Sequence, residues 1–248
     1  MNSKNDQESS LRIFLGFVPD PLRYDFIDSS PYEAHGLIAA LVPKGARVLD
    51  IGCGSGVLGT LIASLDNSVH YQGVEPSAVR AEKARSKGLR CHTGYLTSEL
   101  RSDLGVYDVV ILADVIEHLD NPLALLDLAR LYMKPDSILI VSAPNVAHWS
   151  VRLSLLFGRF DYTSTGILDA THVRWFTKAS LLRCLHGAGL RVVGCRAAPG
   201  RSLSVYDSVR KLSSCLAPQL QSRIFGVISN MWPEMFACQF VVSCRLSS

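Results

Sequence analysis

Charge is scarce in this sequence of 248 residues. Charged residues make up 19% of the chain, and the formal net charge is +3. So small an excess does not by itself favour nucleic acid as a partner. No basic stripe with interleaved aromatic residues favours one either. We therefore expect no nucleic-acid partner.

The cysteines do not form a C-x-x-C pair. The sequence holds seven of them, scattered and odd in number, which argues against a disulfide framework and a structural zinc site. Long apolar runs are also missing, since none reaches the length of a membrane span. The polar residues 1–10 lack the apolar core of a secretory signal. These absences predict a cytoplasmic protein with residues 1–10 as a disordered tail.

Hydrophobic residues are plentiful, at 48% of the chain. A chain of this length and composition can bury a sizeable core, as one large α/β domain with an insertion or as two small domains. We predict a single domain over residues 1–248. Neither composition nor pattern indicates the oligomeric state.

The most informative stretch is Val48–Gly56, which reads VLDIGCGSG. An apolar run that ends in alternating glycines predicts a buried strand entering a tight turn. The apolar spacing that follows predicts a helix over about residues 55–65. Glycines at 52, 54 and 56 allow positive φ and the close approach of a ligand. The amino end of the helix then presents free N–H groups to that ligand.

Two kinds of ligand use such a turn. Gly54-x-Gly56-x-x-Gly59 satisfies the dinucleotide pattern G-x-G-x-x-G. S-adenosylmethionine (SAM) instead has no pyrophosphate and carries a sulfonium and an ammonium group. Asp50 lies two residues before the first glycine, where an acid suits those cations and would repel a pyrophosphate. On D-I-G-C-G-S-G the sequence resembles the class I SAM-dependent methyltransferases, whose first motif reads (V/L)LD(I/V/L)GCGxG.

A second acid follows the glycine turn. Val69–Glu75 reads as strand two, and Glu75 lies about 20 residues beyond the turn, where a carboxylate can accept both ribose hydroxyls. The family covers the adenine with residues after strand three, often with an acid, but this sequence has Gly94, Tyr95 and Leu96 there. The predicted cofactor residues are Asp50, Gly52, Cys53, Gly54, Gly56, Glu75, Pro76, Tyr95, Ala113 and Asp114.

Short apolar segments alternate with helical patterns from Val48 to Ala143, which predicts a parallel sheet with right-handed crossovers. The resemblance implies a Rossmann-like α/β fold, with a mostly parallel sheet, helices on both faces and an antiparallel last strand. Two insertions follow strand five, a lid-like one at 145–176 and a helical one at 200–233. The other predicted elements are helix Pro31–Leu41, strand Arg47–Ile51, helix Ala78–Gly88, strand Leu89–Gly94, strand Tyr107–Ala113, a helix from Asn121 to about Met133, a turn at Lys134-Pro135, and strands Ser137–Ala143, Leu190–Cys195 and Met235–Leu246.

The insertion at 145–176 contains an apolar helix. Trp149, Leu153, Leu156 and Phe157 fall on one face of it, which predicts either a lid over the active site or a small satellite core. An apolar face must be covered by something, so contact of residues 146–157 with a membrane surface stays open as a third interpretation.

The segment Asp114-Val-Ile-Glu117-His118-Leu119 resembles the fourth motif of the family, which passes beneath the methionine part of SAM. His118 is the candidate general base because the ordinary pKa of histidine lies near neutrality. The alternative is a histidine that packs or caps the start of a helix.

Asp114, Glu117 and His118 have the i, i+3, i+4 spacing of one helical face. With His172 in T-H-V-R-W-F-T, they resemble the pattern of ubiquinone-pathway O-methyltransferases and small-RNA 2′-O-methyltransferases. In those families the cluster is associated with a divalent cation. The resemblance implies Mg²⁺ or Mn²⁺ held by Asp114, Glu117, His118 and His172, with the two histidines catalytic. Asp114 stands where those families commonly have glutamate, so its reach is one methylene shorter.

The segments N-V-A-H-W-S-V-R and T-H-V-R-W-F-T are similar to bacterial methyltransferases of glycan and secondary metabolism. We expect methyl transfer from SAM to a small-molecule or glycan acceptor, at a hydroxyl group. One alternative is a metal-assisted O-methyltransferase acting on a catechol-like or ribose hydroxyl. The others are a SAM-binding protein without catalytic activity and an NAD-dependent oxidoreductase. The last is disfavoured because no Tyr-x-x-x-Lys pair occurs.

Overall fold

The computed structural model describes residues 20–26, 29–201, 203, 206 and 217–247. Its strands are β1 (Arg47–Ile51), β2 (His70–Glu75), β3 (Arg90–Thr93), β4 (Tyr107–Ala113), β5 (Met133–Pro144), β6 (Leu190–Ala198) and β7 (Gln239–Leu246). They form one sheet in the order β3-β2-β1-β4-β5-β7-β6. Strands β1 to β5 run parallel, and β7 lies antiparallel between β5 and β6. The predicted Rossmann-like sheet with an antiparallel last strand is confirmed.

The helices connect the strands in the expected alternation. They are α1 (Ala34–Ala39), α2 (Val57–Leu65), α3 (Ala78–Ser86), α4 (Arg101–Leu104), α5 (Pro122–Arg130), α6 (Trp149–Leu156), α7 (Lys178–Gly187), α8 (Pro218–Met231) and α9 (Pro233–Phe236). Helix α5 shows how a start is set: the Asn121 side chain accepts from the Ala124 N–H at 3.4 Å. Pro122 at the first helical position has no N–H to satisfy.

Both faces of the sheet are buried. Successive residues of β1 point to opposite faces, so Val48 packs in the core that holds α1 and α2, and Leu49 packs in the core that holds α5 and α7. Each such side chain contributes roughly 1.5–3 kcal/mol by leaving water. This two-sided burial explains why β1 and β4 read as nearly continuous apolar runs, and both have the bounds that the sequence predicts.

The predicted turn at Lys134-Pro135 is wrong. Strand β5 already begins at Met133, which pairs with Tyr107 before the register shifts and resumes at Ile138. The Lys134 N–H donates to Ser137 Oγ at 2.7 Å, and that hydroxyl donates to the Tyr107 carbonyl. The chain therefore bulges within the strand instead of reversing, because a side-chain hydroxyl replaces the missing ladder bonds.

The insertion forms its helix, α6, but not the predicted buried face. Val151 is the buried residue of α6, and Leu156 and Phe157 are 77% and 72% exposed. A small satellite cluster does exist, made by Val151, Ile167 and Cys238. Val151 lies on the opposite side of α6 from the apolar face that the sequence predicts. The prediction failed because α6 is only weakly amphipathic. The lid and the membrane contact stay predictions.

The carboxyl-terminal region is helical where it is described. Helix α8 and the short α9 occupy 218–236, so the last strand begins at Gln239 and not at Met235. Residues 1–10, and 202, 204–205 and 207–216 within the predicted 200–233 insertion, lie outside the described residues. Among the described residues, none of the helices combines the length and the apolar character that crossing a membrane needs.

Candidate active site

The carboxyl ends of β1 and β2 form one half of the candidate site. After Ile51 the chain turns at Gly52, Gly54 and Gly56, whose φ angles are 75°, 56° and 77°. A Cβ at Gly52 would lie 2.7 Å from the Val115 side chain, whereas a Cβ at Gly54 would meet nothing within 4 Å. The glycines therefore make the turn, and Gly54 leaves room for a ligand.

Asp50 lies in β1 just before this turn and is 1% exposed. Its Oδ2 accepts a hydrogen bond of 2.7 Å from the Tyr71 hydroxyl, while its Oδ1 has no partner among the described residues. Burial raises the pKa of Asp50 to about 7, against the Tyr71 hydrogen bond, and the charge of Glu75 raises it further. A buried carboxylate oxygen without a donor is a place where a cationic ligand group is stabilised.

Glu75 ends β2 beside the turn and is 4% exposed. The Gly54 N–H donates to its Oε2 and the Ser77 N–H to its Oε1, each at 2.9 Å. A carboxylate offers about four acceptor positions. The two backbone donors fix the carboxylate next to Gly54 and leave it able to accept further hydrogen bonds from hydroxyl groups.

The remaining predicted cofactor residues differ in their surroundings. Pro76 is exposed and Tyr95 is 76% exposed, so both lie at the surface. Cys53 is buried, with its Sγ 3.6 Å from Cys91 Sγ. Ala113 ends β4 and leads into Asp114.

Asp114 adopts a left-handed backbone, with φ 54°, and no other non-glycine residue in the described ranges has positive φ. Its Oδ1 accepts from Ser142 Oγ at 2.8 Å and from Gln239 Nε2. Such a conformation costs on the order of 1–3 kcal/mol and persists where neighbours hold it. Strands β5 and β7 supply those neighbours.

The other half of the site is a cluster of Glu117, His118 and His172. One ligand-capable atom from each lies within 4.8 Å of the others, and the two imidazole rings meet edge to face at 4.8 Å. The Glu117 carbonyl accepts from the N–H groups of Val173 and Arg174, at 2.9 and 3.0 Å. Two backbone bonds thus bring the insertion to the end of β4, although the residues are far apart in sequence.

Glu117 is the least satisfied group of the cluster. It is 1% exposed, and neither carboxylate oxygen has a hydrogen-bond partner in the described structure. Burial raises the pKa of Glu117 well above its usual range, and the charge of Asp114 raises it further. A carboxyl group in this state needs either a proton or a positive charge beside it.

Both histidines are oriented through the same ring atom. His118 Nδ1 lies 3.0 Å from the Thr171 carbonyl, and His172 Nδ1 lies 3.0 Å from the Ile167 carbonyl. Each Nδ1 must carry the hydrogen, because a carbonyl only accepts. This tautomer leaves the Nε2 lone pair of each ring free to bind a metal or a proton. Burial lowers the pKa of both histidines.

Asp114 does not join the cluster that the sequence spacing suggests. Only Ile116–His118 form a helical turn, of the 3-10 type, and Asp114 stands before it with positive φ. The spacing i, i+3, i+4 therefore no longer places Asp114 on the same face as Glu117 and His118. Its Oδ1 is bound to Ser142 and Gln239 instead.

A segment that the motifs do not reveal joins the two halves. In residues 20–26, Asp25 Oδ1 accepts from Ser55 Oγ at 2.8 Å and from Lys87. Arg23 Nη2 donates to Asp169 Oδ2 at 3.1 Å. We name these residues segment 20–26. It runs from the glycine turn to the insertion that carries His172.

Comparison with known proteins decides the family. Residues 24–194 match the model of a methyltransferase domain. The chain belongs to this family of SAM-dependent methyltransferases. The match covers both halves of the site, from the glycine turn through the two histidines.

Curated relatives of the methyltransferase are named ubiquinone biosynthesis O-methyltransferase. The protein from Dinoroseobacter shibae is 30% identical over 184 residues, which cover 70% of this chain and 72% of the relative. The protein from Haemophilus ducreyi is 30% identical over 139 residues, which cover 51% of this chain and 53% of the relative. The methyltransferase thus spans only about half the length of some of the curated relatives that it matches.

Solved structures share the fold. A SAM-dependent methyltransferase from Archaeoglobus fulgidus has a TM-score of 0.55 and 19% identity, and covers 90% of this chain and 99% of its own. The plantazolicin methyltransferase BamL, solved with S-adenosylhomocysteine (SAH), has a TM-score of 0.59 and 14% identity, and covers 98% and 96%. These likenesses show the fold. SAM is the cofactor of the family to which the chain belongs, and the open space at Gly54 and the Oδ1 of Asp50, unpartnered within the described ranges, fit it.

Asp169 is a second residue that the sequence does not single out. It is fully buried and accepts from Arg23, from the Tyr24 hydroxyl at 2.7 Å and from the Thr171 N–H at 2.9 Å. Tyr24 also accepts from the Gly166 N–H at 3.0 Å. Asp169 thereby fixes the loop whose carbonyls orient the two histidines.

Proposed function

We propose that the methyltransferase transfers a methyl group from SAM to a hydroxyl group of a small-molecule or glycan acceptor. In this proposal Glu117, His118 and His172 act on that hydroxyl together with a divalent cation. The observation that carries the proposal is the carboxyl group of Glu117, which is buried, has no hydrogen-bond partner among the described residues and lies beside two histidines that each keep a free Nε2.

The half of the site at the ends of β1 and β2, which we name the cofactor half, supplies the expected partners for SAM. The half made by Glu117, His118 and His172 is named the acceptor half. Asp50 Oδ1 stabilises the cationic methionine part, and Glu75 accepts the ribose hydroxyls. The carboxylate of SAM needs a positive partner, and Arg23 has a buried Nε without an acceptor among the described residues. Since Asp25 in the same segment touches Ser55 of the glycine turn, we assign that carboxylate to Arg23.

The reaction requires one proton to leave the acceptor. The acceptor oxygen bonds to the methyl carbon as the carbon–sulfur bond breaks, which gives SAH, and the hydroxyl proton passes to solvent water. A divalent cation, when bound, lowers the pKa of a hydroxyl that coordinates it. Glu117, His118 and His172 would hold the cation through one carboxylate and two imidazole nitrogens. Carboxylate is a ligand for Mg²⁺ and Mn²⁺, whereas imidazole favours the later first-row metals, so this donor set fits Mn²⁺ better than Mg²⁺.

Hydroxyl specificity is supported by the names of the relatives, which are O-methyltransferases at 27–33% identity. The insertion that carries His172 has a sequence that resembles methyltransferases of glycan and secondary metabolism. Both considerations favour a hydroxyl over a nitrogen or carbon acceptor.

A second candidate is a metal-free O-methyltransferase with His118 as the general base. The Thr171 carbonyl fixes the ring of His118 so that Nε2 has a free lone pair. In this mechanism Nε2 takes the hydroxyl proton, and Glu117 stays protonated. The two candidates differ in metal binding, so a metal titration separates them.

The experiment is calorimetric titration of Mn²⁺ into the EDTA-treated protein with SAH present, for the wild type, Glu117→Gln and His172→Ala. We expect one Mn²⁺ site in the wild type and its loss in both variants, with SAH affinity unchanged. Asp161→Asn, an exposed change in the same insertion, is the matched control and should bind as the wild type does. A wild type without a Mn²⁺ site, whose turnover of phenolic and sugar acceptors ignores EDTA but fails in His118→Ala, would favour the second candidate.

A further inference from the structure

Cys53 and Cys91 face each other beside the glycine turn. Their sulfur atoms lie 3.6 Å apart, although the residues belong to the turn after β1 and to β3, with β2 between them. Gly73 in β2 permits this approach, because a Cβ there would lie 2.5 Å from Cys53 Sγ. A disulfide has a sulfur–sulfur distance of about 2.05 Å, so a displacement of the turn by little more than a bond length closes the pair.

The two thiols differ in access and in charge. Cys53 is buried, whereas Cys91 is half-buried. The hydrogen bond from Cys53 lowers the pKa of the Cys91 thiol, and the Arg85 guanidinium lowers it further. Arg85 is held there by its bonds to the Cys91 carbonyl at 3.2 Å and to Thr93 Oγ1 at 2.8 Å. Cys91 is thus the thiol that an oxidant reaches and that reacts as the thiolate.

We propose that Cys53 and Cys91 are a reversible oxidation site, in which a peroxide converts the two thiols into a disulfide that weakens SAM binding. The site rests on the SAM cofactor of the family and is independent of the acceptor that the enzyme methylates.

The chemistry balances in two steps. The Cys91 thiolate attacks one oxygen of the peroxide, the oxygen–oxygen bond breaks, and the sulfur becomes a sulfenic acid as hydroxide leaves and is protonated. The Cys53 sulfur then attacks the Cys91 sulfur and displaces the hydroxyl as water, with the Cys53 proton taken up by it. Two thiols lose two electrons, and a peroxide such as hydrogen peroxide is reduced to two waters.

The effect on the cofactor follows from the neighbours of Cys53. Gly52 and Gly54 flank it, and the Gly54 N–H bonds to the carboxylate of Glu75. Drawing Cys53 towards β3 pulls on the residue that leaves space for SAM and on the donor that fixes Glu75. The disulfide therefore disfavours the bound state, and by thermodynamic reciprocity bound SAH must disfavour the disulfide.

The test uses the full-length reduced protein, treated with hydrogen peroxide and analysed by peptide mass mapping and by SAH calorimetry. We expect a Cys53–Cys91 linked peptide, a loss of SAH affinity of at least roughly tenfold, recovery with dithiothreitol, and slower linkage when SAH is bound first. Cys91→Ser should give no linked peptide and keep its SAH affinity after peroxide. Cys184→Ser, a change at a half-buried thiol in α7, is the matched control and should respond as the wild type does.

Three outcomes would overturn the proposal. The first is the absence of the linked peptide at any peroxide dose that leaves the protein folded. The second is a linked peptide with SAH affinity unchanged. The third is a loss of SAH affinity in Cys91→Ser as large as in the wild type, because the peroxide would then act elsewhere.

Discussion

The Tyr71 hydroxyl donates to Asp50 Oδ2 at 2.7 Å. The Tyr71 ring can take this position because Gly59 has no side chain. A Cβ at Gly59 would stand 2.5 Å from Tyr71 Cζ. The third glycine of the G-x-G-x-x-G pattern therefore serves the packing of α2 against β2. Through Tyr71 it also sets the position of Asp50, the acid that we propose faces the cofactor cation.

We expect Gly59→Ala to destabilise the protein and to weaken SAM binding. The added methyl group displaces the Tyr71 ring, which costs roughly 1–3 kcal/mol as overpacking and removes the donor to Asp50. Thermal unfolding and SAH calorimetry measure the two effects. Gly187→Ala is the control, since its Cβ would lie 3.8 Å from Leu123 and should be neutral or stabilising. Equal behaviour of the two variants would contradict the packing role.

Asp50→Asn should change the pH dependence of SAM binding. The pKa of Asp50 is about 7 in the free protein, and only the carboxylate attracts the cofactor cation. In the wild type the affinity should therefore rise from about pH 6 to about pH 8, by up to roughly tenfold per unit below the pKa. The variant should bind weakly with a flat profile. Asp127→Asn, a change in an exposed ion pair with Arg130, should keep the wild-type profile.

The same substitution should stabilise the free protein. The raised pKa means that folded Asp50 holds a proton that the unfolded chain releases between about pH 4 and pH 7, so stability falls as the pH rises through that range. Asparagine keeps the neutral shape without that loss. Urea unfolding at about pH 8 should give Asp50→Asn a free energy of unfolding higher by roughly 1–4 kcal/mol. A variant less stable than the wild type would refute this.

His148 should make the protein sensitive to mild acid. It is buried, with Nε2 3.0 Å from the Tyr206 hydroxyl and Nδ1 2.8 Å from Ser150 Oγ. Burial lowers its pKa to about 4. Between about pH 6.5 and pH 4 the unfolded chain binds a proton that the folded chain excludes, so stability falls as the pH falls, by roughly 1–3 kcal/mol in total.

His148→Gln should remove this pH dependence, because the amide keeps the hydrogen bonds and does not titrate. Urea unfolding at about pH 7 and about pH 5 gives the free energy of unfolding of the variant and of the wild type. The gap between these two free energies should be smaller at about pH 5 than at about pH 7. His70→Gln, at an exposed histidine, should leave the gap constant. A constant gap for His148→Gln would assign the acid sensitivity to other groups.

Asp169→Asn should impair the half of the site that holds His118 and His172 more than the half that holds SAM, where it acts only through its ion-pair partner Arg23. The amide breaks the ion pair with Arg23 and turns one acceptor into a donor against Tyr24, so the loop that orients His118 and His172 loosens. Under the proposed function we expect kcat to fall at least tenfold, about 1.4 kcal/mol, with SAH affinity within a few-fold of the wild type. Steady-state kinetics with SAH calorimetry test it, and Asp161→Asn is again the control. A fall in SAH affinity with kcat intact would reverse the assignment.

Sequence reasoning succeeded where the signal is local. Strand β1 and strand β4 could be bounded to the residue because buried strands of a parallel sheet are apolar on both faces, and the glycines at 52, 54 and 56 require positive φ. It failed where a long-range contact decides. Arg23 and Asp169 are 146 positions apart, and no local sequence pattern predicts their contact. The prediction that Asp114 shares a helical face with Glu117 and His118 failed, because residues of β5 and β7 hold Asp114 in a left-handed backbone conformation that local spacing does not indicate.

Segment 20–26 ties the two halves of the site together, with Asp25 on the glycine turn and Arg23 on the loop that carries His172. Changes within it cannot be confined to one half, because the same few residues restrain both. Engineering of a new acceptor preference by mutating this segment will alter cofactor exchange at the same time. Libraries restricted to residues 145–165 exclude Gly166 and Asp169, which bond to the segment, and they are the place to vary the acceptor while SAM binding is kept.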